Sequence, residues 1–248
     1  MTARCQLPAS ISIVIPAYNE ERRLPPTLDR ILAYLRTEGF TDWEVLVVDD
    51  GSRDGTARLV RHYGASEPRV RLLENPGNRG KGYAVRNGML AAVKDWVLIT
   101  DADLSAPIEE LSRLTDAVRL QDAAVAIGSR AVDRSLVAVH QPAFREFSGR
   151  FFNLVMRMVT GLPFKDTQCG FKLFRRDAAQ AIFKRQLIEG FGFDVEDLMI
   201  ARVQGFKAIE VGVRWANVEG TKVSLMSGLR SFSDVALVRW NQLMGRYR

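Results

Sequence analysis

The sequence predicts an α/β fold, a mostly parallel sheet flanked by helices on both faces, and three observations lead there. Short β-branched segments alternate with helical patterns through the first half of the chain. Three of those strand-like segments run straight into clusters of acids, glycines and turn formers. No linker, repeat or low-complexity stretch separates the two halves of the chain. Alternation of this kind favours parallel strands joined by helical crossovers, with ligands gathered at the carboxyl ends of the strands.

Taken in order, Ile11–Ile15, Glu44–Val48, Arg69–Leu73, Trp96–Thr100 and Ala124–Gly128 are the expected strands. Leu28, Ile31, Leu32 and Leu35 mark one face of a helix, and Pro25 and Pro26 suit its first turn, where a missing N–H costs nothing. After Gly128 the rhythm changes. Val132–Pro142 reads as a loop and about Phe144 to Thr160 as a helix. A turn at GLPF then leads into the compact stretch DTQCGFKLF, followed by helices near Arg176–Lys184 and Asp194–Val203 and a strand over Lys207–Trp215.

The chain has 248 residues, 47% hydrophobic and 26% charged, which is ordinary for a globular protein able to bury a substantial core. Its net charge of +6 and isoelectric point near 9.6 suit anionic partners such as nucleotide phosphates or an acidic membrane surface. No nucleic-acid recognition motif accompanies that charge. Only Cys5 and Cys169 occur, without a zinc-like cluster, so a reduced cytoplasmic setting is expected. The stretch MTARCQLPAS lacks the apolar core of a signal peptide, and the most apolar windows are broken by arginines before they reach spanning length.

The strand ends carry the chemistry. ISIVI runs into PAYNEE, EVLVV into DDGSRDGT and WVLIT into DADLS. Asp54 is placed to cap the following helix, but capping leaves Asp49, Asp50, Asp101 and Asp103 unexplained. Unpaired buried carboxylates are costly, so a ligand or cation that satisfies them is the economical reading. NPGNRGKGYAVRNG (Asn75–Gly88) adds glycines and the cations Arg79 and Lys81 just ahead of a helix, an arrangement suited to phosphate. It matches neither GxGxxG nor a P-loop.

VIPAYNEE, VVDDGSRDGT, NRGKGYAVRNG, DADLS and GSR, in this order and spacing, resemble the family 2 glycosyltransferases of the GT-A fold. DTQCGFKLF, FDVED and VRWANVEGTK look most like the dolichyl-phosphate β-glucosyltransferases and their polyprenyl-phosphate relatives. The resemblance implies one GT-A domain over 1–248. It divides that domain into a nucleotide-sugar donor half (about 10–130) and an acceptor half (about 131–248) ending in an amphipathic helix.

By that resemblance Pro16, Ala17, Tyr18 and Glu20 line the base and ribose pocket, and Asp49 or Asp50 accepts a hydrogen bond from the base. Lys81 serves the donor phosphates. Asp101 and Asp103 form the DxD motif that holds Mg²⁺ or Mn²⁺ against the donor diphosphate, as suits oxygen ligands and hard cations. Ser105 is read as a cap for the helix near Pro107 and not as a metal ligand. Arg130, Arg145, Ser148 and Arg150 are the expected acceptor-phosphate contacts. Asp166, Asp194, Glu196 and Asp197 are candidates for acceptor orientation or base work, with Glu196 the best match. Asp103, Glu196, Asp166 and Arg130 make up the expected catalytic group.

The activity implied is inverting, metal-dependent transfer of glucose from UDP-glucose to a polyprenyl phosphate. GDP-mannose as donor, a soluble hydroxyl acceptor, and a non-catalytic nucleotide-sugar-binding scaffold are the alternatives. A lipid acceptor implies peripheral attachment at the inner face of the membrane. Leu229, Phe232, Ala236, Trp240, Leu243 and Tyr247 form one helical stripe that suits packing on its own domain or, together with Phe151, Phe152 and Met156, supplying that attachment. The sequence carries no signal for an oligomeric state.

Overall fold

The computed structural model describes residues 10–139, 143–218 and 225–248, without the side chains of 143–147, 150 and 225–231. The first half runs β1 (Ser10–Ala17), α1 (Leu24–Thr37), β2 (Asp42–Asp49), α2 (Thr56–Ser66), β3 (Val70–Glu74), α3 (Lys81–Ala91), β4 (Trp96–Ile99), α4 (Leu111–Gln121) and β5 (Val125–Ser129). The second half adds β6 (Val137–Val139), α5 (Ala143–Thr160), β7 (Lys172–Arg175), α6 (Arg176–Arg185), α7 (Phe193–Val203), β8 (Ala208–Gly212), β9 (Trp215–Ala216) and α8 (Leu225–Leu243).

Seven strands form one sheet in the order β3-β2-β1-β4-β7-β5-β8. The pairs β1–β2, β1–β4, β2–β3 and β5–β8 are parallel, whereas β7 runs antiparallel to both β4 and β5. Parallel strands covered on both faces read as unbroken apolar runs, and β1 shows why. Ile11, Ile13 and Ile15 enter the core layer that holds Leu28, Ile31 and Leu35 of α1. Val14 points the other way, into the layer that holds Val85 and Met89 of α3. Fully burying each such side chain contributes about 1.5–3 kcal/mol, so Ile31→Ala would cost roughly 2–5 kcal/mol.

Three elements depart from the sequence reading. DTQCGFKLF hides β7, whose four residues fill the gap between β4 and β5. The expected loop 132–142 contains β6, which pairs with β9 in a separate two-stranded ribbon. The single strand expected over 207–215 breaks after Gly212 into β8 and β9, so its end leaves the main sheet for that ribbon.

Candidate active site

Because β1, β2, β3, β4 and β5 all point the same way, their carboxyl ends share one rim with the start of β7. Pro16 and Ala17 close β1, Asp49 closes β2, and Asp101 lies two residues beyond β4. Backbone bonds lock the neighbours together. Asp50 N donates to Ala17 O at 2.8 Å, Asn75 N to Asp49 O at 2.9 Å, and Thr100 N to Val14 O at 3.0 Å.

The acids on this rim have different partners. Asp50 is almost fully buried and accepts from Asn75 Nδ2 (2.8 Å), Arg79 N (3.1 Å) and Gly80 N (2.8 Å). It therefore pins the glycine-rich loop that leads into α3. Asp49 engages Ser52 through one oxygen, from both the backbone N–H and the hydroxyl. Of the two acids, Asp49 has the carboxylate less occupied by the protein itself. Asn19 N donates to Ser52 Oγ (2.9 Å) and Glu20 N to Thr56 Oγ1 (2.8 Å), so the segment holding Tyr18 is stitched to the turn after β2. Glu20 grips Arg23 with both oxygens at 2.7 Å.

Asp101 and Asp103 sit on a turn anchored from α1, where Thr27 Oγ1 donates to Ala102 O at 2.7 Å. Lys81 Nζ, at the first position of α3, lies 2.7 Å from Asp101 Oδ1. Burial opposes the ammonium charge, but Asp101, Asp194 and Asp103 override it and raise the Lys81 pKa. Asp103 Oδ1 accepts from Ser105 N (3.0 Å) and Ser105 Oγ (2.9 Å), while Oδ2 lies 3.7 Å from Arg23 Nη1. Ser105 thus braces Asp103. No side-chain bond caps the short 3₁₀ turn after Pro107, contrary to the sequence reading. Gly170 of the DTQCGFKLF stretch has no room for a Cβ, because the Asp101 carboxylate occupies that space.

Among the described residues no three His, Cys, Asp or Glu side chains cluster as a metal cage. Asp101 and Asp103 still fit a magnesium- or manganese-type ion, since such ions commonly take one or two carboxylates and complete their shell with substrate phosphate and water.

The acceptor-side expectations need revision. Arg130 donates from Nε (2.7 Å) and Nη2 (2.8 Å) to Asp166 and stacks over Trp215, its centre 5.4 Å from the ring. That edge of the guanidinium fork is spent inside the protein. Burial works against Asp166 ionising, but Arg130 prevails and lowers its pKa, so Asp166 is a poor proton acceptor and a good anchor. Glu196 is fully buried on α7. Its oxygens accept from Leu187 N (3.0 Å), Ile188 N (2.8 Å) and Tyr247 Oη (2.8 Å), so both are engaged inside the protein. Arg79, expected at phosphate, pairs with Glu189 instead (2.6 and 3.2 Å).

Asp194 is the acid of that segment that faces the site. It contacts Lys172 Nζ and feels Lys81, although burial still raises its pKa. Asp197 lies deeper, with neither oxygen hydrogen-bonded and a pKa pushed well up by burial. Ser148 lies partly exposed on α5, and the side chains of Arg145 and Arg150 lie outside the described residues.

Sequence reasoning missed Thr27, Arg23 and Lys172. The spacing of Glu20 and Arg23 was a usable signal for one of them. Nothing local marks Lys172, whose partners come from α7, or Thr27, which reaches the turn after β4.

The family model described as glycosyl transferase family 2 matches residues 12–183. Dolichyl-phosphate beta-glucosyltransferase of Homo sapiens is 36% identical over 253 residues, covering 96% of this chain and 77% of that protein. The Saccharomyces cerevisiae protein of the same name is 32% identical over 255 residues, covering 96% and 76%. Among solved structures, glucosyl-3-phosphoglycerate synthase from Mycobacterium tuberculosis, in complex with Mn²⁺, UDP-glucose and phosphoglyceric acid, shares the fold. The TM-score is 0.65 at 20% identity, covering 93% of this chain and 80% of that one. Mannosyl-3-phosphoglycerate synthase from Rubrobacter xylanophilus gives a TM-score of 0.66 at 19% identity, covering 96% and 75%. With the strand-end acids, the glycine-rich loop and the mixed sheet all in place, the chain belongs to glycosyl transferase family 2.

Proposed function

We propose that this protein transfers glucose from UDP-glucose to a polyprenyl phosphate of the dolichyl type, with inversion at the sugar carbon. The observation that carries the reading is the meeting of Asp101, Asp103 and Lys81 at one strand end, in a chain about 36% identical to dolichyl-phosphate beta-glucosyltransferase of Homo sapiens. Pro16, Ala17, Tyr18 and Glu20 form the wall toward base and ribose, and Asp49 accepts from the base. Asp50 acts indirectly, by holding the loop before α3. Asp101 and Asp103 would hold a divalent cation, which supplies charge neutralisation at the departing diphosphate.

The acceptor needs little proton chemistry. A phosphate monoester has a second pKa of about 6 and is largely ionised at neutral pH. One of its oxygens attacks the sugar carbon as the bond to the diphosphate oxygen breaks, and UDP leaves with that electron pair. Lys81 and Arg23 face the leaving side. Arg130, held by Asp166, with Ser148, Arg145 and Arg150 form the acceptor-phosphate side. Asp194 orients that side and Glu196 takes no part in the transfer.

A lipid acceptor requires contact with a membrane. No helix among the described residues is long and apolar enough to cross one. The reading instead uses peripheral contact through Phe151, Leu154 and Met158 of α5 and Leu237, Trp240, Leu243 and Met244 in and just beyond α8. All seven are exposed. Phe152 and Met156, included in the sequence reading, are buried and pack inside.

The test is a panel of UDP-glucose, GDP-mannose and other nucleotide sugars, incubated with short polyprenyl phosphates and Mn²⁺ or Mg²⁺ and read by mass spectrometry. Glucosyl-phosphoryl-prenol from UDP-glucose alone is the expected product. Product only from GDP-mannose, or only with a soluble sugar alcohol as acceptor, overturns donor or acceptor. UDP binding without any transfer overturns catalysis.

A further inference from the structure

Glu196 is too deep to touch a substrate, yet it joins three parts of the chain. One oxygen accepts from Leu187 N and Ile188 N, and the other from the hydroxyl of Tyr247, the penultimate residue. The segment beginning at Gln186 rests on the start of α3. Tyr83 N donates to Glu189 O at 3.1 Å, and Gln186 Nε2 donates to Gly82 O (2.9 Å) and Ile188 O (2.8 Å). The fit is close, since a Cβ on Gly80 would lie 2.6 Å from Glu189 O and one on Gly82 2.7 Å from Ile188 O. α3 opens with Lys81, the partner of Asp101.

On the other side of Glu196, Tyr247 is fully buried and its carbonyl accepts from Gln204 at the end of α7. α8 itself crosses Gly192, the residue before α7, where the Asp234 side chain occupies the space of a Cβ. A continuous set of hydrogen bonds therefore runs from the chain's last residues through Glu196 and the 186–190 segment to the first turn of α3.

We infer that Glu196 is a positioning residue that ties the seating of the C-terminal helix to the placement of Lys81. This rests on the reading of Lys81 as the donor-phosphate cation. It gives α8 a second role beside any membrane contact: the helix that meets the lipid surface also braces the first turn of the helix that meets the sugar diphosphate.

Tyr247→Phe removes one hydroxyl from this set and keeps the ring in its buried seat. Amide exchange by mass spectrometry on the full chain should show peptides holding Leu187, Ile188 and Tyr83 opening about tenfold faster, with α1 and α2 unchanged. KM for UDP-glucose should rise several-fold with a smaller change in kcat. Glu196→Gln, which can still accept from the two loop amides and meet Tyr247, should restore near-native values in both readouts, whereas Glu196→Ala should not. Faster exchange confined to the C-terminal residues, with the Tyr83 peptide unchanged, overturns the inference. Failure of the wild-type protein to bind UDP with Mn²⁺ overturns the reading of the site instead, and the exchange result then still stands for or against the brace.

Discussion

Lys81 Nζ lies 2.7 Å from Asp101 Oδ1, so the first residue of α3 and the first acid after β4 neutralise one another across the rim. A cation bound at Asp101 would face Lys81 as a like charge, and the donor diphosphate is the group that can satisfy both. Lys81→Met should therefore weaken UDP binding in the presence of Mn²⁺ by at least about tenfold, as isothermal calorimetry would measure. Binding of Mn²⁺ alone should not weaken. Unchanged UDP affinity would remove Lys81 from the phosphate site.

Gly170 is a more demanding position than its place in a loop suggests. The Asp101 carboxylate fills the volume of a Cβ there, so Gly170→Ala must push that carboxylate aside. Small misplacements at a reacting centre cost on the order of a hundredfold in rate. The expected result is a loss of transfer of that order with only a few degrees lost in thermal stability. Wild-type kcat/KM in this variant would sink the assigned role of Asp101.

Asp166 offers a test of anchor against base. Its pKa lies below the ordinary carboxylate range because Arg130 outweighs burial, so it stays ionised across neutral pH. Asp166→Asn should leave the acid limb of the pH–rate profile where it is and raise KM for the lipid phosphate by loosening Arg130. The cost in stability should be roughly 1–3 kcal/mol, since Arg130 keeps partial contact with solvent. A pH-independent acid limb in the variant would instead assign Asp166 the proton.

Asp197 gives a pH signature. Burial without a hydrogen-bond partner raises its pKa, so the folded protein holds a proton that the unfolded chain has released. Stability contributed in this way is full at pH below the unfolded carboxylate value and falls as pH rises through the folded one. Asp197→Asn should flatten the decline of Tm as pH rises above the ordinary carboxylate range, and should leave the variant the more stable of the two at the upper end. Parallel profiles for both proteins would contradict this.

Cys169 is fully buried, and its thiol is pushed up to about 12 mainly by burial, with Asp166 adding to the effect. In the native protein at pH 8 the Cys169 peptide should resist iodoacetamide for hours and react readily in denaturant. Because the denatured thiol ionises from about 9 and the native one only near 12, this group also makes stability decline as pH rises across that interval.

Much of the rim was legible because its chemistry is local to strand ends. Asp49, Asp50, Asp101 and Asp103 each follow a β-branched run, and parallel strands place those ends side by side. What stayed hidden depends on contacts distant in sequence. Glu196 reads as an acid at a helix start, and only packing shows that it serves Leu187, Ile188 and Tyr247. Arg130 reads as a free phosphate ligand until Asp166, 36 residues on, takes one edge of its fork. Of the C-terminal stripe, Ala236, Trp240 and Leu243 are exposed, whereas Tyr247, beyond the end of α8, is buried; Val235 and Val238 supply the inward face of the helix. Of the stripe, the Leu229 side chain lies outside the described residues.

The antiparallel strand β7 has a consequence for how the molecule comes into being. β4 and β5 are complete by Ser129, yet the slot between them waits for Lys172–Arg175. A growing chain that has passed Ser129 therefore leaves one edge of β4 and both edges of β5 without their partners until β7, some forty residues on, and then β8 have been made. A fragment ending near residue 130 would keep those edges for good, with Asp101 lacking the Gly170 backbone it packs against. β7 thus joins β5 to the rest of the sheet and brings the Gly170 backbone against Asp101 together, so the acid site gains that wall only with residues made after the whole donor half.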